Sequence, residues 1–274
     1  MPTFPSDPYA INGQSVVSFS GGRTSGFMLW NIMQAHGGKV PDDILVCFQN
    51  TGLEHPATYD FIVEVEQQWQ IPIVWLELDI TEDGYGYKVV DKNTAARQGE
   101  PFAALIRKRK YLPNPIARFC TVELKIKTLE RYIKNVLGWD DWDNAIGLRA
   151  DEPRRVAKMK ADERNLTPVA DAGHTNQDVM RFWESHPFDL KLPGGNNDFG
   201  NCVGCFLKGR SKLEKIIDSN PAHFDWWVAM EKEIGSTFRS DRPTYQQMLV
   251  QLTVQGRLFD DSIPDESMPC MCHD

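Results

Sequence analysis

Apolar residues along this chain fall alternately into short runs and helical stripes. Val16-Val17-Ser18-Phe19 is a short apolar run that breaks at Ser20-Gly21-Gly22-Arg23-Thr24-Ser25, and apolar positions return at helical spacing from Phe27 to Ala35. That pattern predicts a strand, a tight turn and a helix. Ile44 to Phe48 is nearly unbroken in apolar character, as in a parallel strand covered on both faces, and it ends in Gln49-Asn50-Thr51-Gly52. Pro56 opens a helix to Trp69 with a stripe of Tyr59, Phe61, Ile62, Val65 and Trp69, and Ile73 to Leu78 forms a third strand. Strands and helices in this alternation predict an α/β fold with an open, mainly parallel sheet, helices on both faces and right-handed crossovers.

Downstream the rhythm loosens. Residues 80 to 118 read as a loop and one helix, stopped by Pro113-Asn114-Pro115. Thr121 to Val136 is helical with Gly138 as its C-cap, and Asn144 to Leu148 is a further short strand. Beyond residue 166 the signals are mainly helical: a capping-box start at Thr175-Asn176-Gln177-Asp178, then stretches from Lys208 to Ile217 and Phe224 to Ile234. The expected division is an α/β domain over residues 1–165 and a helical extension over 166–274 packed on it.

In such a sheet, ligands bind at the carboxyl ends of the strands. Ser20 to Ser25, Asn50 to Gly52 and Asp79 all fall there. Gly21 and Gly22 remove side chains that would hold a ligand away from the backbone. What remains is successive N–H groups, the hydroxyls of Ser20, Thr24 and Ser25, and a helix N-terminus, which together suit a phosphate or pyrophosphate. The alternative is a plain Gly-Gly turn. Arg149, Arg154 and Arg155, with Glu152 among them, follow the strand at 144–148, and arginine is the natural clamp for phosphate or sulfate oxygens.

Charge narrows the ligand. The 38 acidic and 30 basic residues give a net charge of −8, which excludes a generally basic nucleic-acid face. Local clusters at Arg107-Lys108-Arg109-Lys110 and from Arg149 to Arg164 suit a compact anion better than a long duplex. No stretch approaches the ~20 apolar residues of a membrane helix and no secretory signal is visible, so no membrane partner and a cytoplasmic location are expected.

Cysteines occur at 47, 120, 202, 205, 270 and 272. Cys202-x-x-Cys205 puts two thiols on one turn, the spacing used by iron–sulfur clusters and zinc. Cys120 stands at a helix start beside Arg118, with Lys125 about one turn on. A [4Fe–4S] site from Cys120, Cys202 and Cys205 with Cys270 or Cys272 is one reading; zinc, a redox dithiol and unliganded thiols stay open. Cys47 is expected to be a buried small hydrophobe. His55 and His174 lack spaced partners and are expected to be structural or exposed. Trp226-Trp227 and Trp139 with Trp142 read as packing anchors.

Four segments in order resemble the PP-loop ATP-pyrophosphatase superfamily, and within it the phosphoadenylyl-sulfate (PAPS) reductase group. They are Ser20 to Ser25 after a strand, Asn50-Thr51-Gly52, Arg118-Phe119-Cys120-Thr121 with Lys125 beyond, and Gly147-Leu148-Arg149-Ala150-Asp151-Glu152. The stretch from Gly173 to Leu207 is similar to phage and prophage proteins of this group. The resemblance implies an adenine nucleotide α-hydrolase-like fold. It implies that Ser20 to Ser25 hold phosphate or sulfate oxygens of an adenine nucleotide (PAPS, adenylyl sulfate or ATP), that Asn50 to Gly52 flank it and that Arg149 approaches its anionic end; beside it, Arg154 and Arg155 are further candidates to bind the nucleotide, and Lys125 is a catalytic candidate within reach of the cluster or an anion. It also implies a cluster at the cysteines, although the family's paired cysteine is Thr121 here. A reductase would use Cys272 as nucleophile and a thioredoxin-like donor to release sulfite; the family's Glu-Cys-Gly context around that cysteine is missing. A second class in the superfamily splits ATP, with Mg2+, to transfer sulfur or a nucleotidyl group to RNA, DNA or a small molecule. A third possibility is a non-catalytic nucleotide- or zinc-binding protein.

Overall fold

The computed structural model describes residues 7–195 and 197–253. Cys270 and Cys272 lie outside the described residues. Six strands form one sheet in the order β4-β3-β2-β1-β5-β6. The strands are β1 Ser15–Ser18, β2 Ile44–Gln49, β3 Val74–Thr81, β4 Gly84–Val90, β5 Asp143–Ile146 and β6 Asn165–Leu166. All neighbours pair in parallel except β3 with β4, which run antiparallel from Trp75↔Val90 to Thr81↔Gly84. The segment at 80–118, expected to be a loop and one helix, therefore contains an edge strand as well. Its Gly84-Tyr85-Gly86-Tyr87 sequence is only half-buried, so it lacks the apolar run that marks the inner strands.

Between the strands lie α1 Arg23–Ala35, α2 Pro56–Trp69 and α3 Glu100–Arg109. The helical stretch expected from Thr121 to Val136 is built from α4 Phe119–Thr121 and α5 Thr128–Tyr132, alternating with π-helical turns Val122–Lys127 and Ile133–Leu137. Gly138, at φ 68°, closes it. α6 Pro153–Met159 occupies the charged exit of β5; it buries no residue, so no apolar stripe announced it. The extension carries α7 Pro168–Asp171, α8 Asn176–Ser185, α9 Arg210–Ser219, α10 Asp225–Ile234 and α11 Tyr245–Thr253.

Alternation along the strands feeds two apolar clusters, one on each face. Val17, Val46, Phe48 and Trp75 pack with α1, α2, α3 and the extension, whereas Val16, Cys47 and Leu76 pack with Leu129, Tyr132, Ile133 and Trp142. The first cluster is continuous with Trp183, Phe206, Leu213, Trp227 and Tyr245, so sheet and extension share one core. The tie is polar as well: Trp183 Nε1 donates to the Arg23 carbonyl across 2.8 Å. Cys47 is buried, as its apolar setting implied. His55 caps α2, accepting the Ala57 N–H at Nδ1, and His174 Nδ1 meets the Tyr9 hydroxyl at 2.8 Å.

Strand order creates the site. From β1 the chain steps outward to β2, β3 and β4, then crosses back to lay β5 on the other flank of β1. Ser18 is level with both Cys47 and Ile146. The loops leaving β1 and β5 thus diverge from adjacent strand ends, the topological switch point where open α/β sheets bind ligands.

Candidate functional site

The turn after β1 has a conformation that requires glycine. Gly21 sits at φ 74°, and a Cβ there would lie 2.6 Å from Thr58 Cγ2 and 2.9 Å from Ile62 Cδ1, because α2 packs directly beneath. Gly22 is the N-cap of α1 and has no side chain to satisfy the first-turn N–H groups. Ser25 turns inward, donating to the Gly22 carbonyl and lying 3.0 Å from the Ser20 hydroxyl.

Above this turn is a cavity of about 440 Å3. One wall is Ser20 to Thr24; another is Arg149 and Arg155; the extension closes it with Asn201, Cys205, Lys208 and Lys212. Arg149 Nη1 donates to Thr24 Oγ1 at 3.2 Å, joining the exits of β5 and β1. Glu152 organises the arginines: it accepts the Arg149 N–H, pairs with the Arg149 guanidinium at 3.3 Å and with that of Arg155. Arg149, Arg155, Lys208 and Lys212, with Arg23 at the border, thus make five cationic side chains lining a cavity in which, among the described residues, Glu152 is the one carboxylate. Arg154, expected beside them, is exposed on α6 and does not line the cavity.

Arg23 borders the cavity, but its guanidinium is engaged elsewhere. Nε and Nη2 donate to the Asp189 carboxylate at 2.7 and 2.8 Å, Nη2 also to the Leu190 carbonyl at 2.6 Å, and Nη1 to the Gly195 carbonyl at 3.0 Å. In place of the ligand contact expected of it, Arg23 binds the 189–195 segment to the turn.

Asn50 and Thr51 also differ from expectation, because their polar groups serve a buried network. Asn50 Nδ2 donates to Glu77 Oε1 and to the Ala96 carbonyl, while Asn50 Oδ1 accepts from the Tyr59 hydroxyl and the Gly52 N–H. Thr51 Oγ1 donates to Glu54 Oε1 at 2.7 Å. Burial, then the Glu54 carboxylate, push the Tyr59 phenol far above its usual range, against the Arg97 guanidinium stacked 3.7 Å over its ring. Gly52 lines a second cavity of about 440 Å3 with Tyr59, Arg97 and Trp226. Trp226 packs on Phe102 and Trp227 on Tyr245.

Lys125 is buried on the other face of the sheet. It lines a third cavity, of about 530 Å3, with Ser18, Gln49, Arg118 and Thr121, and not the cavity above Gly21. In the basic run, Arg107 pairs with Glu233 and Arg109 with Glu123.

The two cysteines of Cys202-x-x-Cys205 connect the loops. Residue 202 bridges to Glu54, the Val203 N–H donates to the Leu53 carbonyl, and Cys202 Sγ is 3.3 Å from Thr51 Oγ1. Cys205 opens on the cavity above Gly21. Among the described residues, no group of three or more His, Cys, Asp or Glu side chains is placed to hold a metal ion. The cluster expected at Cys120, Cys202 and Cys205 draws a further ligand from Cys270 or Cys272, outside the described residues, and the described donors alone do not group as a metal site.

Pattern reading missed Asn201, Lys208 and Lys212 as cavity residues. Their signal was proximity to Cys205 in sequence, and nothing in a surface-like lysine spacing assigns it to a site 190 residues from the turn it faces.

An α/β protein with a cationic cavity at the switch point of its sheet is the class these observations define. No protein-family model matches the chain. It is 36% identical over 205 residues to the uncharacterized nin region protein ORF290 of Escherichia phage lambda, covering 73% of this chain and 68% of that protein. The chain belongs to the family of that phage protein. Among solved structures it aligns with the U34-tRNA thiolase NcsA from Methanococcus maripaludis, determined with its [4Fe–4S] cluster, at 14% identity and a TM-score of 0.41 over 85% of this chain and 76% of that one. At that score the likeness does not establish a shared fold. No helix of the described residues is long and apolar enough to cross a membrane.

Proposed function

We propose that the chain is a PP-loop enzyme that binds an adenine sulfonucleotide in the cavity above Gly21 and reduces its sulfonyl group to sulfite. The observation that carries this reading is the hydrogen bond from Arg149 to Thr24, which brings a guanidinium to the mouth of an uncapped glycine turn. In this reading the turn's N–H groups and the Ser20 and Thr24 hydroxyls receive phosphate or sulfate oxygens. Arg149 and Arg155 stabilise the charge that develops on the departing phosphate. A thiol in the cavity wall, Cys205, favours sulfonyl transfer to sulfur over adenylation, which needs no thiol there. A thioredoxin-like dithiol supplies the electrons.

The test is anaerobic incubation of the full chain with PAPS, adenylyl sulfate or ATP under reducing conditions, following sulfite and pyrophosphate. Sulfite without pyrophosphate is expected. Pyrophosphate that appears with ATP only when RNA or DNA is added replaces this reading with ATP-dependent modification. Absence of binding to any of the three nucleotides overturns the enzyme assignment.

A further inference from the structure

We propose that Cys205 is the thiol that attacks the sulfonyl sulfur and that Cys202 resolves the product, so that this pair, and not a cysteine of the 254–274 tail, is the enzyme's redox dithiol. This rests on the sulfonucleotide reading above.

Placement distinguishes the two thiols. Both are buried, at 8% and 9% exposure, but Cys205 lines the cavity together with the glycine turn, Arg149 and Arg155, whereas Cys202 does not line it. Neither is disulfide-bonded. Thr51 Oγ1 donates to Glu54 Oε1 and lies 3.3 Å from Cys202 Sγ, so Cys202 sits against a buried polar pair on the side away from the cavity lining. Cys202 is thereby set back on Thr51 while Cys205 opens on the cavity.

The turn between them is rigid. The Cys205 N–H donates to the Cys202 carbonyl at 3.1 Å, and the Tyr245 hydroxyl donates to the Gly204 carbonyl at 2.6 Å. A Cβ on Gly204 would lie 2.3 Å from Trp227 Nε1, so the turn packs flat against the indole. Two cysteines at this spacing, with one opening on the site and the other sheltered, have the arrangement of an attacking and a resolving thiol.

The steps balance. The Cys205 thiolate forms an S–S bond to the sulfonyl sulfur. The S–O bond to phosphate breaks and its electron pair leaves with the adenosine phosphate, giving a Cys205 S-sulfonate. Cys202 then loses its proton and attacks the Cys205 sulfur. The bond to the sulfonyl group breaks, sulfite departs with the electron pair, and the two thiols are oxidised to a disulfide while the transferred sulfur is reduced by two electrons. An external thioredoxin-like dithiol restores the pair.

The experiment uses the full chain, purified anaerobically and incubated with PAPS and adenylyl sulfate without added reductant, with nucleotide binding measured in parallel. Wild type is expected to release one equivalent of sulfite and acquire a Cys202–Cys205 disulfide. Cys202→Ser is expected to accumulate one sulfonate adduct, mapped by peptide mass spectrometry to Cys205. Cys205→Ser is expected to bind nucleotide with at most about a threefold change in affinity and to form neither adduct nor sulfite. An adduct on Cys272 or Cys270, or sulfite from Cys205→Ser, overturns the assignment to Cys205 and leaves the reductase reading standing. Iron and labile sulfide held through Cys202 and Cys205 in wild type overturns it as well. Nucleotide binding with neither sulfite nor adduct in any variant overturns both.

Discussion

Arg149 Nη1 donates to Thr24 Oγ1 across 3.2 Å, and this bond joins the loops leaving two adjacent parallel strands. The same guanidinium is steadied by Asp151 and Glu152, so it is positioned before any ligand arrives. Replacing it by alanine removes a charge-assisted donor from the cavity without opening the core. Hydrogen bonds to charged groups contribute about 1.5–3 kcal/mol, so Arg149→Ala is expected to weaken nucleotide affinity by roughly 10- to 100-fold in isothermal titration. Arg154→Ala, on the exposed side of α6, is the control and is expected to change affinity by less than about twofold.

Arg23 tests whether the loop arginine is structural. Its side chain is 4% exposed and directs its bonds to Asp189, Leu190 and Gly195. Arg23→Met leaves two carbonyls and a carboxylate that is 35% exposed without their donor, a loss of about 1–3 kcal/mol. Lysine cannot restore the fork geometry that reaches both Asp189 oxygens. A fall in the urea midpoint for both Arg23→Met and Arg23→Lys is expected, larger for methionine. Unchanged stability with lost nucleotide affinity would return Arg23 to the ligand.

Gly21 and Gly37 separate two costs of replacing a glycine. Both lie at positive φ, 74° and 71°, but a Cβ at Gly37 meets nothing within 4 Å whereas one at Gly21 strikes Thr58 and Ile62. Gly37→Ala is expected to cost about 1–2 kcal/mol for the left-handed backbone alone. Gly21→Ala adds a further ~1–3 kcal/mol of overpacking against α2 and displaces the turn. Thermal or urea denaturation of the two variants measures the difference, and equal losses would refute the packing argument.

What could be read from the chain, and what could not, follows the range over which each determinant acts. The Gly21-Gly22 turn, β1, β2 and α2 were legible because their signals are local: a positive-φ demand, an apolar run, a proline start. β4 was not, because an edge strand needs only one buried flank. Arg23 looked like a ligand residue because Asp189 lies 166 residues downstream and no local pattern links them. Asn50 and Thr51 were correctly placed at a strand end, but the Asn50 partners Glu77 and Ala96 lie 27 and 46 residues downstream and turn its side chain inward, while Thr51 turns to Glu54 three residues on. The division between Cys202 and Cys205 was invisible for the same reason, since only folding decides which of two thiols on one turn faces the cavity.

Three histidines make stability depend on pH near neutrality. Burial lowers His55, His186 and His223 below the usual 6.5; at His55 the neighbouring His223 adds to the effect and Asp60 opposes it. Two of them accept hydrogen bonds that a proton would abolish: His55 Nδ1 from the Ala57 N–H and His186 Nε2 from Trp69 Nε1 at 3.2 Å. With folded values depressed, the unfolded chain takes up protons first as pH falls through about 6.5, so stability is full above that value and declines below it. The urea midpoint is therefore expected to drop between about pH 7.5 and about pH 5.5. Glu66, Asp143 and Glu231 have values raised by burial and act with opposite sign. His186→Gln keeps an acceptor for Trp69 that does not titrate, and it is expected to remove part of the decline. A midpoint that is flat or rises on acidification across this interval would contradict the assignment of these rings as neutral in the folded protein.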